Sequence, residues 1–366
     1  MISLPLLKDG LRIFGQRFRK GHRHIGTAED ISKNILSTCW NGEYFQVSSG
    51  NFNEFYMRDF AYVIESLLQL GYKKEVTQTL VYALQKYELH NSVTTTITHA
   101  GEAVNVFNLA PDSLALLLRS LRILNNKSLI REYSKFLSCE IERYTSGIFD
   151  PVLGLVKKNR YFSSAKDHAV RSSSVYDNVM LAIIASEAKS LSLSNSFKGY
   201  NFKKNIFETF WRDSYFIDHF QSEIISGDAN LYPYWTGLFS SKKMILKSIE
   251  TMEEIGLTKP FPLKYTTKED AKKVRFLSPY KYLVPNYEGD AIWAHHGMNY
   301  LSLLSQVDKN RMRTHLEQYK NLIEKHNSFV EVYSPNGKPY KTLFYKADKG
   351  MIWAATFLSL WNQYYQ

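Results

Sequence analysis

Four segments of the chain set carboxyl groups among basic and aromatic side chains just ahead of apolar runs. The first is Asn53-Glu54-Phe55-Tyr56-Met57-Arg58-Asp59-Phe60. Adjacent Arg58 and Asp59 suit a fork of hydrogen bonds onto sugar hydroxyls, although an Asp in a helix's first turn also complements the helix dipole. The second runs from Ser163 through Lys166-Asp167-His168 to Arg171, with Tyr176-Asp177-Asn178 behind it. Cations so near a carboxyl favour its ionised form, so an acid here needs burial or a second carboxylate to oppose them. The third, Val284 to His296, holds Glu288, Asp290, Trp293, His295 and His296. Neighbouring histidines on a helix point ~100° apart, so a packed one and a site-facing one are expected rather than a shared metal. The fourth is Phe329-Val330-Glu331-Val332-Tyr333-Ser334-Pro335-Asn336-Gly337, in which a strand puts Glu331 on the face opposite Val330 and Val332. Paired carboxyls are what hydrolysis of a glycosidic bond requires. One protonates the leaving group and the other activates water, at a separation of ~6.5–9.5 Å in an inverting enzyme. No nucleotide-binding glycine pattern, zinc spacing or nucleophile elbow is present.

Such residues must be positioned by a rigid frame. Apolar residues recur at helical spacing over 28–39, 57–71, 74–89, 111–124, 128–144, 174–192, 201–211, 233–240, 242–255, 290–305, 309–326 and 348–364. Pro111-Asp112-Ser113 opens one helix and Ser240 or Ser241 caps another. Short β-like stretches fall at 43–48, 92–98, 152–158 and 329–333, and 258–287 is a long irregular excursion rich in Lys, Pro and Tyr. Twelve helices in six hairpins predict a closed all-α toroid, an (α/α)6 barrel with short β-hairpins in its loops. An open solenoid would show a repeat, and none is found.

No Gly/Ser- or Pro-rich linker divides the 366 residues, so one barrel domain over 1–366 is expected, with 1–26 as a basic extension carrying Arg17, Arg19, Lys20, His22, Arg23 and His24. The net charge is +11, but Lys and Arg are otherwise dispersed, which argues against a nucleic-acid surface. Aromatics make up 14% of the chain, and Tyr and Trp pair an apolar face with a polar tip as sugars do. Two cysteines 100 residues apart make neither a metal motif nor a disulfide framework. No apolar run reaches the ~20 residues of a membrane span or the core of a signal peptide, so a cytoplasmic location is expected.

The order and wording of the segments resemble inverting glycosidases of the six-hairpin class. The nearest are the processing α-glucosidase and mannosylglycerate hydrolase group, with the neutral invertases close behind. Arg58-Asp59-Phe60 is similar to the Arg-Asp-Phe segment of neutral invertases and the sugar-gripping Arg-Asp of glucoamylases, and Leu109-Ala110-Pro111-Asp112-Ser113 to another invertase loop. Asp167 with Arg171 four residues on resembles the stretch whose Asp is the general acid. Asp290 to Tyr300 resembles a Gly-Pro-X-Trp-Pro…Asn-Tyr helix, and Glu331 to Gly337 matches Glu-Asn-Tyr-Asn-Pro-X-Thr-Gly, whose Glu is the general base. Met351-Ile352-Trp353 fits the helix that follows. The departures are Ser-Ala-Lys ahead of Asp167 in place of Glu-Ser-Gly-Trp, and Glu-Gly-Asp at 288–290 in place of Arg-Gly-Pro.

The resemblance implies an inverting glycosidase for an α-linked oligosaccharide or small glycoside, needing no metal or other cofactor. Asp167 is then the acid and Glu331 the base, with Asp177 a rival acid. Arg58, Asp59, Asp112, Arg171, Asp177, Trp235, Trp293 and His295 are the candidate sugar contacts. Two other classes stay open. A sugar isomerase or epimerase on the same barrel would work through His99, His168, His295 and His296. A non-catalytic module would bind carbohydrate or an acidic partner. The sequence leaves the oligomeric state open.

Overall fold

The computed structural model describes residues 23–365, apart from 195, 198, 278 and 279, together with Gly15. Its longer helices are α1 (Ala28–Cys39), α2 (Met57–Gln69), α3 (Lys73–Leu89), α4 (Pro111–Leu124), α5 (Ser134–Ile148) and α6 (Val175–Ser190). They continue as α7 (Phe202–Phe210), α8 (Gly227–Trp235), α9 (Lys242–Glu254), α10 (Ala294–Val307), α11 (Lys309–His326) and α12 (Ala354–Tyr365).

The even-numbered helices form a closed ring: α2 packs on α4, α4 on α6, α6 on α8, α8 on α10, α10 on α12, and α12 back on α2. The odd-numbered helices lie outside it, each against one or two members. Burial follows from that placement. The outer α11 buries Met312, Leu316, Tyr319 and Ile323, a single stripe at steps of four, three and four. The inner α4 has neighbours on every side and buries twelve of its fourteen residues, Asp112 and Arg119 among them. Closure of α12 on α2 excludes an open solenoid. Gly297 in α10 allows a close approach to α11, because a Cβ there would overlap the Tyr319 hydroxyl.

The described residues include nine two-residue strands in the connections between helices. β1 (Phe55–Tyr56), β2 (Thr96–Ile97) and β3 (Ala103–Val104) form one antiparallel sheet in that order. β4 (Phe149–Asp150) pairs with β5 (Leu155–Val156), and β6 (Trp211–Arg212) with β7 (Tyr215–Phe216). β8 (Ile292–Trp293) pairs with β9 (Val332–Tyr333) in the register Ile292 to Tyr333 and Trp293 to Val332, which draws the third and fourth segments together.

Several boundaries differ from the sequence reading. The expected helix at 233–240 is α8 instead: Ser226 caps its start, Pro233 lies inside it, and Gly237 at φ +79° follows its end. Periodicity missed the first turn of α8 because buried polar Asp228 and Asn230 interrupt its apolar pattern. The 128–144 helix is two, Lys127–Glu132 and α5, with a break at Tyr133. The 43–48 stretch makes only isolated bridges, Trp40 to Phe45 and Ser48 to Met351. Residues 258–287 hold two one-turn helices, Lys268–Ala271 and Tyr280–Leu283. Among the N-terminal basic residues, Arg17, Arg19, Lys20 and His22 lie outside the described residues, while His24 N–H donates to the Asn327 carbonyl at 3.0 Å.

Candidate active site

The inner helices α2 and α10 each start directly after a short strand, with no side chain capping the first turn. Their N-terminal ends open into a pocket at one end of the ring. Arg58 and Asp59 reach it from α2, His295 from α10, Trp293 from β8 and Trp353 from just ahead of α12. Asp167, Tyr287, Glu288 and Glu331 complete its polar lining. Fixed partial positive charge at helix starts suits a site rich in carboxyls.

Asp167 comes from a loop whose other side chains are committed to the interior. Lys166 is fully buried against Asp218 at 3.3 Å and Asp228 at 3.1 Å, and Arg171 meets the same two carboxylates at 3.2 and 2.7 Å. Ser164 hydroxyl donates to Asp177, and Arg58 Nη2 donates to the Ser163 carbonyl. Ala165 sits in the left-handed region at φ +51°, held by the Tyr265 hydroxyl on its carbonyl and Asp112 on its N–H. The Asp167 side chain remains 26% exposed and faces the pocket. Arg58 bridges to it at 3.1 Å while its Nε donates to Asp112 at 2.6 Å.

Glu331 is held differently. Its carboxylate accepts from the Tyr287 hydroxyl at 2.5 Å, the Tyr345 hydroxyl at 2.6 and 2.8 Å, and the Asp348 N–H at 2.8 Å. Burial pushes Glu331 up to about 7, against the pull of those donors. Asp59 is pushed up to about 7 as well, chiefly by burial, with Arg58 opposing, and it accepts from Trp353 Nε1 at 3.1 Å. His295 is buried with no partner for either ring nitrogen, and burial holds its imidazole well below the usual range, so it is neutral. Its neighbour His296 meets the Tyr232 hydroxyl at 2.9 Å and does not line the pocket.

The remaining candidates lie elsewhere. Asp112 is buried behind Arg58 and also accepts from Tyr176. Asp177 is buried behind the Asp167 loop between Ser164 and Ser174, where burial raises it to about 6. Arg171 belongs to the buried ion cluster, not to Asp167. Trp235 ends α8, with the Arg119 guanidinium over its ring at 4.3 Å, away from the pocket lining. His99 is exposed outside the pocket. Among the described residues no group of three or more His, Cys, Asp or Glu is placed to hold a metal ion. Neither is any described helix long and apolar enough to cross a membrane.

Sequence reasoning missed Tyr345, Asp348, Asp218 and Asp228. The latter two carry no local signal beyond an unpaired charge in an apolar context. Tyr345 and Asp348 follow the Pro335-Asn336-Gly337 turn, which folds that chain back along the Glu331 segment: Glu331 N–H donates to the Asp348 carbonyl at 3.0 Å.

No family model and no curated protein matches the sequence. Solved structures do. A rhamnosidase from Klebsiella oxytoca with rhamnose bound aligns over 92% of this chain at TM-score 0.64 and 11% identity, and this chain spans 63% of its length. A GH63 mannosylglycerate hydrolase from Thermus thermophilus aligns over 92% of this chain and all of its own, at TM-score 0.63 and 12% identity. A glycosidase in complex with glucose aligns over 99% of both chains at TM-score 0.63 and 10% identity. The chain has the six-hairpin glycoside hydrolase fold. At these identities the likeness concerns the architecture alone.

Proposed function

We propose that this six-hairpin protein is a glycoside hydrolase that cleaves an α-linked oligosaccharide or small glycoside with inversion. One observation carries the reading. Asp167 and Glu331, 164 residues apart in the chain, line the same pocket with Arg58, Asp59, Trp293, His295 and Trp353. A water-activating base works best with a pKa near the working pH, and Glu331 at about 7 meets that condition. Three donors and no carboxylate partner on its oxygens favour its ionised form. Asp167 is the proposed acid: its side chain faces the pocket, and the buried carboxylate of Asp112 on Arg58 opposes the pull of that cation. Arg58, Asp59 and His295 supply sugar hydroxyl partners, and Trp293 and Trp353 supply aromatic faces. Rhamnose and glucose, bound in two of the structural neighbours, are monosaccharides, and the carboxyl and aromatic lining of this pocket offers the same kinds of contact to a small sugar.

A histidine-based isomerase fits less well. Among the described histidines only His295 lines the pocket, and a neutral imidazole held well below its usual range is a poor proton shuttle.

The test is a screen of purified protein against α- and β-linked disaccharides and aryl glycosides, with NMR reading the anomer first released. Release of the inverted anomer, lost in both Asp167→Asn and Glu331→Gln, is the expected outcome. Retention of configuration, or near-full activity of Glu331→Gln, overturns it.

A further inference from the structure

The loop from Val284 to Asp290 sends two adjacent side chains to two different parts of the site. Tyr287 donates its hydroxyl to Glu331 Oε1 at 2.5 Å, and its ring packs edge-on against Trp293 with centroids 4.6 Å apart. Glu288, buried to 3% exposure, turns to the Asp167 loop. Its two oxygens accept the backbone N–H groups of Asp167 at 2.6 Å and His168 at 2.8 Å, and His168 Nδ1 lies 3.3 Å away. The loop itself is anchored on both sides. Trp293 Nε1 donates to the Tyr287 carbonyl at 2.7 Å, Thr266 N–H to the Gly289 carbonyl at 2.9 Å, and the Tyr340 hydroxyl to the Pro285 carbonyl at 2.7 Å.

We propose that Tyr287 and Glu288 are paired positioning residues, a two-residue clamp that fixes the separation of the Asp167 and Glu331 carboxyls. Successive Cα atoms are 3.8 Å apart across one rigid peptide. Any shift of the loop therefore moves the partner of both carboxyl-bearing segments at once. Glu288 grips the Asp167 segment by backbone rather than side chain, which leaves the Asp167 carboxyl free to face the pocket. Inversion needs room for one water between the two groups, and a misplacement of ~1 Å costs ~10²-fold in rate. The proposal rests on the acid and base assignments made above.

Leaving-group dependence separates the two ends of the clamp. Take the sugar identified by the screen, as its α-glycosyl fluoride and as its methyl α-glycoside. Fluoride departs with little protonation, whereas methanol needs the acid. Glu288→Gln can offer only one acceptor oxygen to two N–H groups, and Glu288→Asp is too short to reach both. Each is expected to lose about 10²-fold in kcat on the methyl glycoside and under about threefold on the fluoride. Tyr287→Phe is expected to slow both substrates alike. It also moves the acid limb of kcat/KM to higher pH, because Glu331 loses a donor that favours its ionised form. Asp167→Asn is the reference. If it shows the leaving-group pattern and the Glu288 variants do not, the clamp is overturned and the acid assignment stands. If Asp167→Asn slows both substrates equally, the assignment falls and the clamp falls with it. An unmoved acid limb in Tyr287→Phe, with folding confirmed by thermal unfolding, overturns the Tyr287 half. A Glu288→Gln chain that does not fold leaves Glu288→Asp to decide the other half.

Discussion

The two candidate catalytic carboxyls are held in place by contrasting chemistry. Glu331 sits among neutral donors, two phenols and one backbone N–H, and is buried to 1% exposure. Asp167 rides on a loop locked by full charges: Lys166 and Arg171 inside, Asp218 and Asp228 opposite them, and Arg58 reaching its carboxyl. Neutral donors let burial raise a carboxyl toward neutrality without a counter-ion to undo it. Buried ion pairs do the reverse, fixing a backbone path firmly while costing desolvation. The protein thus uses charge to hold the shape of one segment and dipoles to tune the proton affinity of the other.

That contrast can be broken at several points. The largest effect is expected on turnover: Asp167→Asn and Glu331→Gln should each lower kcat by ~10²–10⁴-fold, with the fold retained by circular dichroism. Next is stability. Arg171→Met leaves Lys166, with His219 on Asp218, to face the two carboxylates and should cost about 3–5 kcal/mol by denaturant unfolding. A loss under about 1 kcal/mol would mean that the ion cluster does not hold the loop.

The third effect concerns pH. The folded-state value of Glu331, about 7, lies above its ordinary 4.5, so the folded chain keeps a proton that the unfolded chain has released. Its contribution is fully present below about 4.5 and is lost as pH rises through about 7. Glu331→Gln should therefore gain on the wild type between pH 5 and pH 9, by roughly 1–3 kcal/mol, while losing activity throughout. A stability gap independent of pH would show that Glu331 is not raised. The smallest effect is expected from Tyr345→Phe, about 1 kcal/mol in stability. It should also move the activity's acid limb upward, since one donor to the carboxylate is gone.

Much of the frame was legible in the chain. The outer helices read directly, because a helix with one buried side leaves a periodic stripe such as Met312, Leu316, Tyr319 and Ile323. Inner helices read less cleanly. α8 has polar Asp228 and Asn230 fully buried and a proline within it, so its apolar pattern points to the wrong boundaries. At the site, Arg58, Asp59, Asp167, Trp293, His295 and Glu331 stand in segments whose composition drew attention, and the fold sets all six around one pocket. Asp177 and Arg171 stand in the second of those segments and Asp112 at a separate helix start, but all three are buried away from the pocket, and Trp235 ends a helix elsewhere. Composition does not say which way a loop side chain turns.

Periodicity, helix-start signals and the order of polar segments were enough to specify a ring of helical hairpins with acidic loops, because those features depend on neighbours in sequence. Tertiary structure alone decided which carboxyls share a pocket, and which donors and ions surround each one. Glu331 meets Tyr287 across 44 residues and Arg58 meets Asp112 across 54. The burial that raises Glu331 and Asp59 exists only once the ring has closed and water has been displaced from its end.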